Sequence, residues 1–149
     1  MHVTQGTFSY LPPLSDDEIR AQIQYGIDQG WAVAIEFTDD IHPRNVYWEM
    51  WGFPDFDAKD SAAGLFEVKR CREAYPNHYI RVTLYNPKLT KQTIGLQFIV
   101  NRPGNEPGFR LDRQESNDRV IRYTLVPYAN EKPHGDRYAE GAYGDYHGN

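Results

Sequence analysis

Apolar residues recur along this chain with two different periods, and each change of period marks out an element. Ile19, Ile23 and Ile27 fall at i, i+4 and i+8, one stripe of a helix. Ser15-Asp16-Asp17-Glu18 precedes the stripe, with serine at the N-cap, glutamate at N3 and acids in the first turn. Gly30 stands where a helix would close. These signals predict a helix over 15–29. Gly26 is its expected weak point, since a helical glycine costs about 1 kcal/mol against alanine.

From Trp31 the period falls to two. Trp31, Val33, Ile35 and Phe37 share one face of a strand, and Ala32, Ala34 and Glu36 share the other. Thr38 to Asn45 is a mostly polar loop, and Val46 to Phe53 reads as a second strand stopped by Pro54. Asp60 or Ser61 caps a second helix that runs to about Tyr75, with Leu65, Val68, Arg72 and Tyr75 on one side and Pro76 ending it. Tyr79 to Tyr85 is a third strand carrying Ile80, Val82 and Leu84 on one face. Asn86-Pro87-Lys88 is turn chemistry, and Thr93 to Asn101 is a fourth strand with Ile94, Leu96, Phe98 and Val100 aligned.

The order is helix-strand-strand-helix-strand-strand. Short loops between strands make each strand pair antiparallel. The predicted fold is a two-layer α+β sandwich, a four-stranded antiparallel sheet with two helices on one face. Ile23, Ile27, Val33, Ile35, Leu65, Val82 and Phe98 are its expected core. Composition shifts after Pro103. Phe109 to Gln114 and Arg119 to Val126 alternate around Glu115-Ser116-Asn117-Asp118, which predicts an appended C-terminal β-hairpin. Tyr128 to Asn149 is rich in glycine, tyrosine and histidine without period, and reads as an extended tail. The chain therefore divides into 1–102, 103–127 and 128–149. At its start, Pro12-Pro13 excludes a helix and makes Gly6 to Leu14 an extended arm. That arm offers Phe8, Tyr10 and Leu11 to some surface, its own or a partner's.

A length of 149 residues fits one domain with a real core. The net charge of −5 disfavours a nucleic-acid binder, which needs clustered basic side chains. A single cysteine, Cys71, excludes an internal disulfide and a multi-cysteine zinc site. No run approaches the ~18 apolar residues of a membrane span. Met1 to Gly6 has neither the basic nor the apolar region of a signal peptide. The aromatic content, 14%, changes the picture more, because tyrosine and tryptophan are enriched where proteins meet.

Candidate chemistry is sparse. His2, His42, His78, His134 and His147 show no metal-ligand spacing and read as scattered exposed side chains. Cys71 sits near the apolar stripe of its helix and reads as a small buried hydrophobe. Glu36 and Glu49 lie on neighbouring strands as a conceivable carboxylate pair, but Glu36 among alanines suits a sheet face or an interface, paired with an arginine. Lys69-Arg70-Cys71-Arg72 is the densest basic run and reads as a solvated helix face. No catalytic, cofactor-binding or metal-binding residue emerges. On the residues alone two other classes stay open: a regulatory module binding a small metabolite, and a small autonomous enzyme.

Four stretches taken together point further. Thr7-Phe8-Ser9-Tyr10-Leu11-Pro12-Pro13-Leu14, Gly30-Trp31, Tyr47-Trp48-Glu49-Met50-Trp51-Gly52-Phe53-Pro54, and Tyr75-Pro76 followed by Tyr79-Ile80-Arg81-Val82 stand in register over residues 7 to about 102. In them the chain resembles the small subunit of form I ribulose-bisphosphate carboxylase/oxygenase (RuBisCO). The short loop at Asp39 to Asn45 is similar to the bacterial and non-green-algal version rather than the longer plant one, and the extension with Phe109-Arg110-Leu111 and Arg119 to Thr124 is similar to the red-type lineage.

The resemblance implies a non-catalytic subunit. Eight copies would cap an octamer of large subunits, which hold the active site with its Mg2+ and carbamylated lysine. The small subunits would stabilise that octamer and influence turnover and CO2/O2 selectivity. It implies large-subunit contacts at Thr7, Phe8, Ser9, Tyr10, Leu11, Pro12 and Pro13, and at Tyr47, Trp48, Glu49 and Trp51. It further implies that Phe109, Arg110, Leu111, Arg119, Ile121, Arg122 and Tyr123 meet neighbouring small subunits in a central channel. A bacterial cytoplasm or a plastid stroma is the expected compartment. No nucleic acid and no membrane is expected as a partner.

Overall fold

In the computed structural model, residues 13–40, 47–88, 92–104, 109–115 and 120–127 are described. The arm residues Thr7 to Pro12, together with Arg119 and the tail 128–149, lie outside that set, as do His2, His42, His134 and His147.

Helix α1 spans Asp16–Asp28. The Glu18 amide donates to Ser15 Oγ and the Ser15 amide to Glu18 Oε1, both at 3.2 Å, so the capping box is closed. At the other end the Gly30 amide donates to the Ile27 carbonyl and the Trp31 amide to the Gly26 carbonyl. That is a Schellman closure, and Gly30 takes the left-handed backbone it demands (φ 79°). Strand β1 is Ala32–Thr38, β2 is Glu49–Met50, α2 is Ser61–Ala74, β3 is Tyr79–Asn86 and β4 is Thr93–Asn101. Asp60 caps α2 by accepting from the Ala62 amide at 2.9 Å.

These strands form one antiparallel sheet in the order β2-β1-β3-β4. Both helices lie on one face of it. Ile19 and Ile23 of α1 and Val68 and Cys71 of α2 pack with Val33, Ile35, Phe37, Ile80, Val82, Leu84, Phe98 and Val100. Ile27 and Leu65 join this core only partly buried. Ile94, expected on the same face, is half exposed at the start of β4.

Gly26 is no weak point. A Cβ there would stand 2.6 Å from Leu84 Cδ1 and 2.9 Å from Leu84 Cδ2. The missing side chain lets α1 lie close on β3, so what is lost in helix propensity is returned as packing.

The second strand differs most from expectation. Val46 lies outside the described residues, and among the described ones only Glu49 and Met50 pair as a strand, opposite Phe37 and Glu36. The Trp51 amide still reaches the Ile35 carbonyl at 2.8 Å, and Asp55 pairs with Val33 in both directions. Gly52, Phe53 and Pro54 lie between those two contacts, so the chain bulges away from β1. Gly52 turns the corner at φ 70°, and Pro54 has no amide to give the ladder.

The C-terminal hairpin consists of β5, Phe109–Glu115, and β6, Ile121–Pro127. They pair antiparallel from Phe109 opposite Pro127 to Glu115 opposite Ile121, as a separate two-stranded sheet. Leu111, Ile121 and Tyr123 are all exposed.

Candidate functional site

Period-two alternation sends the aromatic edge segment to two sides of the sheet. Residues opposite one another in a ladder share a side, so Met50 and its neighbour-but-one Trp48 join Glu36 on the helix-free face. Glu49 falls on the side of Phe37. The two glutamates are therefore on opposite faces and form no carboxylate pair.

Glu36 is paired instead with Arg81, its partner across the β1–β3 ladder. Arg81 donates through Nε, and its Nη2 lies against the same Glu36 oxygen, each at 2.6 Å. The side chains are only 13% and 15% exposed. The guanidinium carbon lies 4.1 Å from the centre of the Trp48 ring. Low local dielectric strengthens both contacts, and the ring keeps water off the cation. Arg81 stood in the quoted Tyr79-Ile80-Arg81-Val82 stretch without a role. The signal that marks it is a lone charge in an apolar strand, level with a lone charge in the strand beside it.

Trp51 takes the other side. Its ring meets Phe37 edge-on at 6.5 Å and Tyr75 at 6.2 Å, while Phe37 and Tyr75 stack at 4.2 Å. His78 completes this cluster, 5.0 Å from Tyr75, rather than standing alone in solvent. Trp51 Nε1 donates to Glu67 Oε2 at 3.0 Å, which ties the edge segment to α2. Tyr47 is 86% exposed and Phe53, at the bulge, 93%. Glu49 and Pro13 are exposed as well.

Beneath the bulge lies a cleft of about 440 Å³ lined by Ile23, Ile27, Trp51, Phe53 and Phe66, with Asp55 and Asp60 among its polar groups. The basic run of α2 is not merely solvated. Arg72 donates to Asp16 Oδ1 at 2.9 Å and to the Val100 carbonyl at 2.6 Å, joining α2 to α1 and β4. Hydrogen bonding from Arg72 holds the Asp16 carboxyl below its usual value, with Lys69 at 3.8 Å adding to the effect. Cys71 is fully buried in the core, and burial pushes its thiol up to about 11. A thiol so protonated is a poor nucleophile at neutral pH. Among the described residues no group of three or more His, Cys, Asp or Glu side chains is placed to hold a metal ion, and no helix is long and apolar enough to cross a membrane.

Comparison with known proteins places the fold in a class of subunit. It superposes on the structure titled RuBisCO from Galdieria partita with a TM-score of 0.88 and 51% identity, covering 93% of this chain and all of that one. A small subunit of ribulose bisphosphate carboxylase from Cyanidioschyzon merolae is 62% identical over 138 residues, 93% of this chain and the whole of that protein. The plasmid-borne small subunit from Cupriavidus necator is 54% identical over 139 residues, with the same coverage. The profile of the family described as ribulose bisphosphate carboxylase, small chain, matches residues 5–103. The chain belongs to that family.

Proposed function

We propose that eight copies of this chain cap an octamer of RuBisCO large subunits, stabilise it, and tune its turnover and CO2/O2 selectivity. Carboxylation of ribulose 1,5-bisphosphate, with Mg2+ and the carbamylated lysine, belongs to the large subunit in this reading. This chain supplies contact surface. Thr7 to Pro13 and Tyr47 to Trp51 meet the large subunit, with Trp51 working from behind by holding the edge segment on α2. The hairpin with Phe109, Arg110, Leu111, Arg119, Ile121, Arg122 and Tyr123 meets neighbouring small subunits. The compartment is a bacterial cytoplasm or a plastid stroma.

One observation carries the reading beyond family membership. Tyr47, Phe53, Leu111, Ile121 and Tyr123 stand uncovered in the single chain, and a two-stranded hairpin alone is marginal in water. Both features make sense against other chains. The test is co-expression with a large subunit of the same lineage, followed by purification through a tag on this chain. A complex of both chains with carboxylase activity, and no activity from this chain alone, is expected. A chain that never co-purifies with the large subunit would overturn the proposal.

A further inference from the structure

The Glu36–Arg81–Trp48 group is complete except at one atom. Trp48 Nε1 is buried and has no hydrogen-bond partner among the described residues. Covering Arg81 explains the ring but not the nitrogen, because a phenyl ring also presents a negative face to a cation. Three residues on, Trp51 has found an acceptor in Glu67. A buried donor left bare loses its water and gains nothing in return, and folded chains rarely keep one without cause.

We infer that Trp48 Nε1 is a docking donor, and that its acceptor is a neutral carbonyl oxygen of the large subunit. The inference rests on the docking reading above and narrows it to one atom. Charge selects the acceptor. Arg81 is already matched by Glu36, so a second carboxylate would meet Glu36 across a poorly hydrated gap and be repelled. A main-chain carbonyl or an amide oxygen adds no charge and satisfies the indole. The location agrees, since Met50 on the same face and Tyr47 beside it are both exposed. Because the nitrogen is covered in the single chain, docking turns the indole or parts what covers it. Trp48 is then a contact residue, and Glu36 and Arg81 are positioning residues that hold its ring.

The test uses the holoenzyme, co-expressed with its large subunit, and reads small-subunit release in dilute urea by size exclusion. Three replacements at position 48 are compared: Trp48→Phe, Trp48→Ala, and benzothienylalanine, which keeps the shape of the indole with sulfur in place of N–H. Loss of one buried hydrogen bond predicts about tenfold easier release for both Trp48→Phe and the sulfur analogue. The analogue decides the matter if Trp48→Phe does not fold. Should the analogue be retained like the parent while Trp48→Ala is released, the ring matters and the donor does not. That overturns the inference and leaves the docking reading standing. If even Trp48→Ala is retained like the parent, the docking role of this strand falls with it.

Discussion

The two faces of the four-stranded sheet solve burial in opposite ways. The helix-covered face is aliphatic and aromatic, from Val33 and Ile35 through Val82 and Leu84 to Phe98. The helix-free face sets small and polar groups, Ala32, Ala34, Glu36, Arg81, Thr83 and Gln97, among the larger Trp48, Tyr79 and Ile99. Its charged and amide side chains are matched within the sheet, Arg81 to Glu36 and Gln97 Nε2 to Thr83 Oγ1 at 3.0 Å, while Trp48 Nε1 is not. The first face depends on volume, the second on pairing. A close-packed interior loses stability with the volume removed or forced in, whereas a paired charge that loses its partner is left stranded.

That contrast can be broken most forcefully at Arg81. Arg81→Ala leaves Glu36 charged, poorly hydrated and alone, and should cost about 3–5 kcal/mol in urea unfolding of the chain. The double replacement Glu36→Gln with Arg81→Met should restore most of it, because no charge is then stranded. A double variant as unstable as the single one would mean that packing, not pairing, governs this face. On the other face Ile23→Ala should cost roughly 2–5 kcal/mol, with no second-site replacement that rescues it by charge. Gly26→Ala sharpens the comparison further. Helix propensity alone predicts a gain of about 1 kcal/mol, while the collision with Leu84 predicts a loss of about 1–3 kcal/mol. A lower melting temperature is the expected outcome, and a higher one would show that Leu84 yields at little cost.

The smallest effect concerns the seam between the helices and β4. Asp16 is held below its ordinary value of 3.8 by Arg72. A carboxylate depressed by folding contributes stability above its unfolded value, and loses it as pH falls through the folded one. Stability should therefore decline below about pH 4, and Asp16→Asn should flatten that part of the profile. Asp16 is nearly half exposed, so the change will be modest. Equal acid sensitivity in the variant would assign the decline to other carboxylates.

Much of this architecture was legible in the order of residues. The Ser15–Glu18 box, the isoleucine stripe and the period-two runs of β1, β3 and β4 are local signals, and each element formed where its signal lay. The shortened β2 was not legible, because Val46 to Phe53 alternates well enough to pair throughout. Gly52 and Pro54 break the ladder only in the presence of β1, whose carbonyls the chain meets again at Asp55. The use of Gly26 was hidden for a similar reason, since the Leu84 it accommodates lies far along the chain. Among the edge aromatics, residue type could not sort inward from outward. Register did so, sending Trp51 to the helices and Trp48 to Arg81. The arm residues and Arg119 fall outside the described set, and their contacts stand as proposed.

The brevity of β2 has one more effect. A sheet ends where its outermost strand still offers hydrogen-bonding groups, and a long flat border invites the border of another molecule. Here the border is two residues long and then swings away at Phe53. On this side of the sheet a stray strand thus finds little to zip onto, and the aromatic contact groups of the edge segment can stand in water without a long pairing border beside them. The opposite border, nine-residue β4, has no such protection from its length.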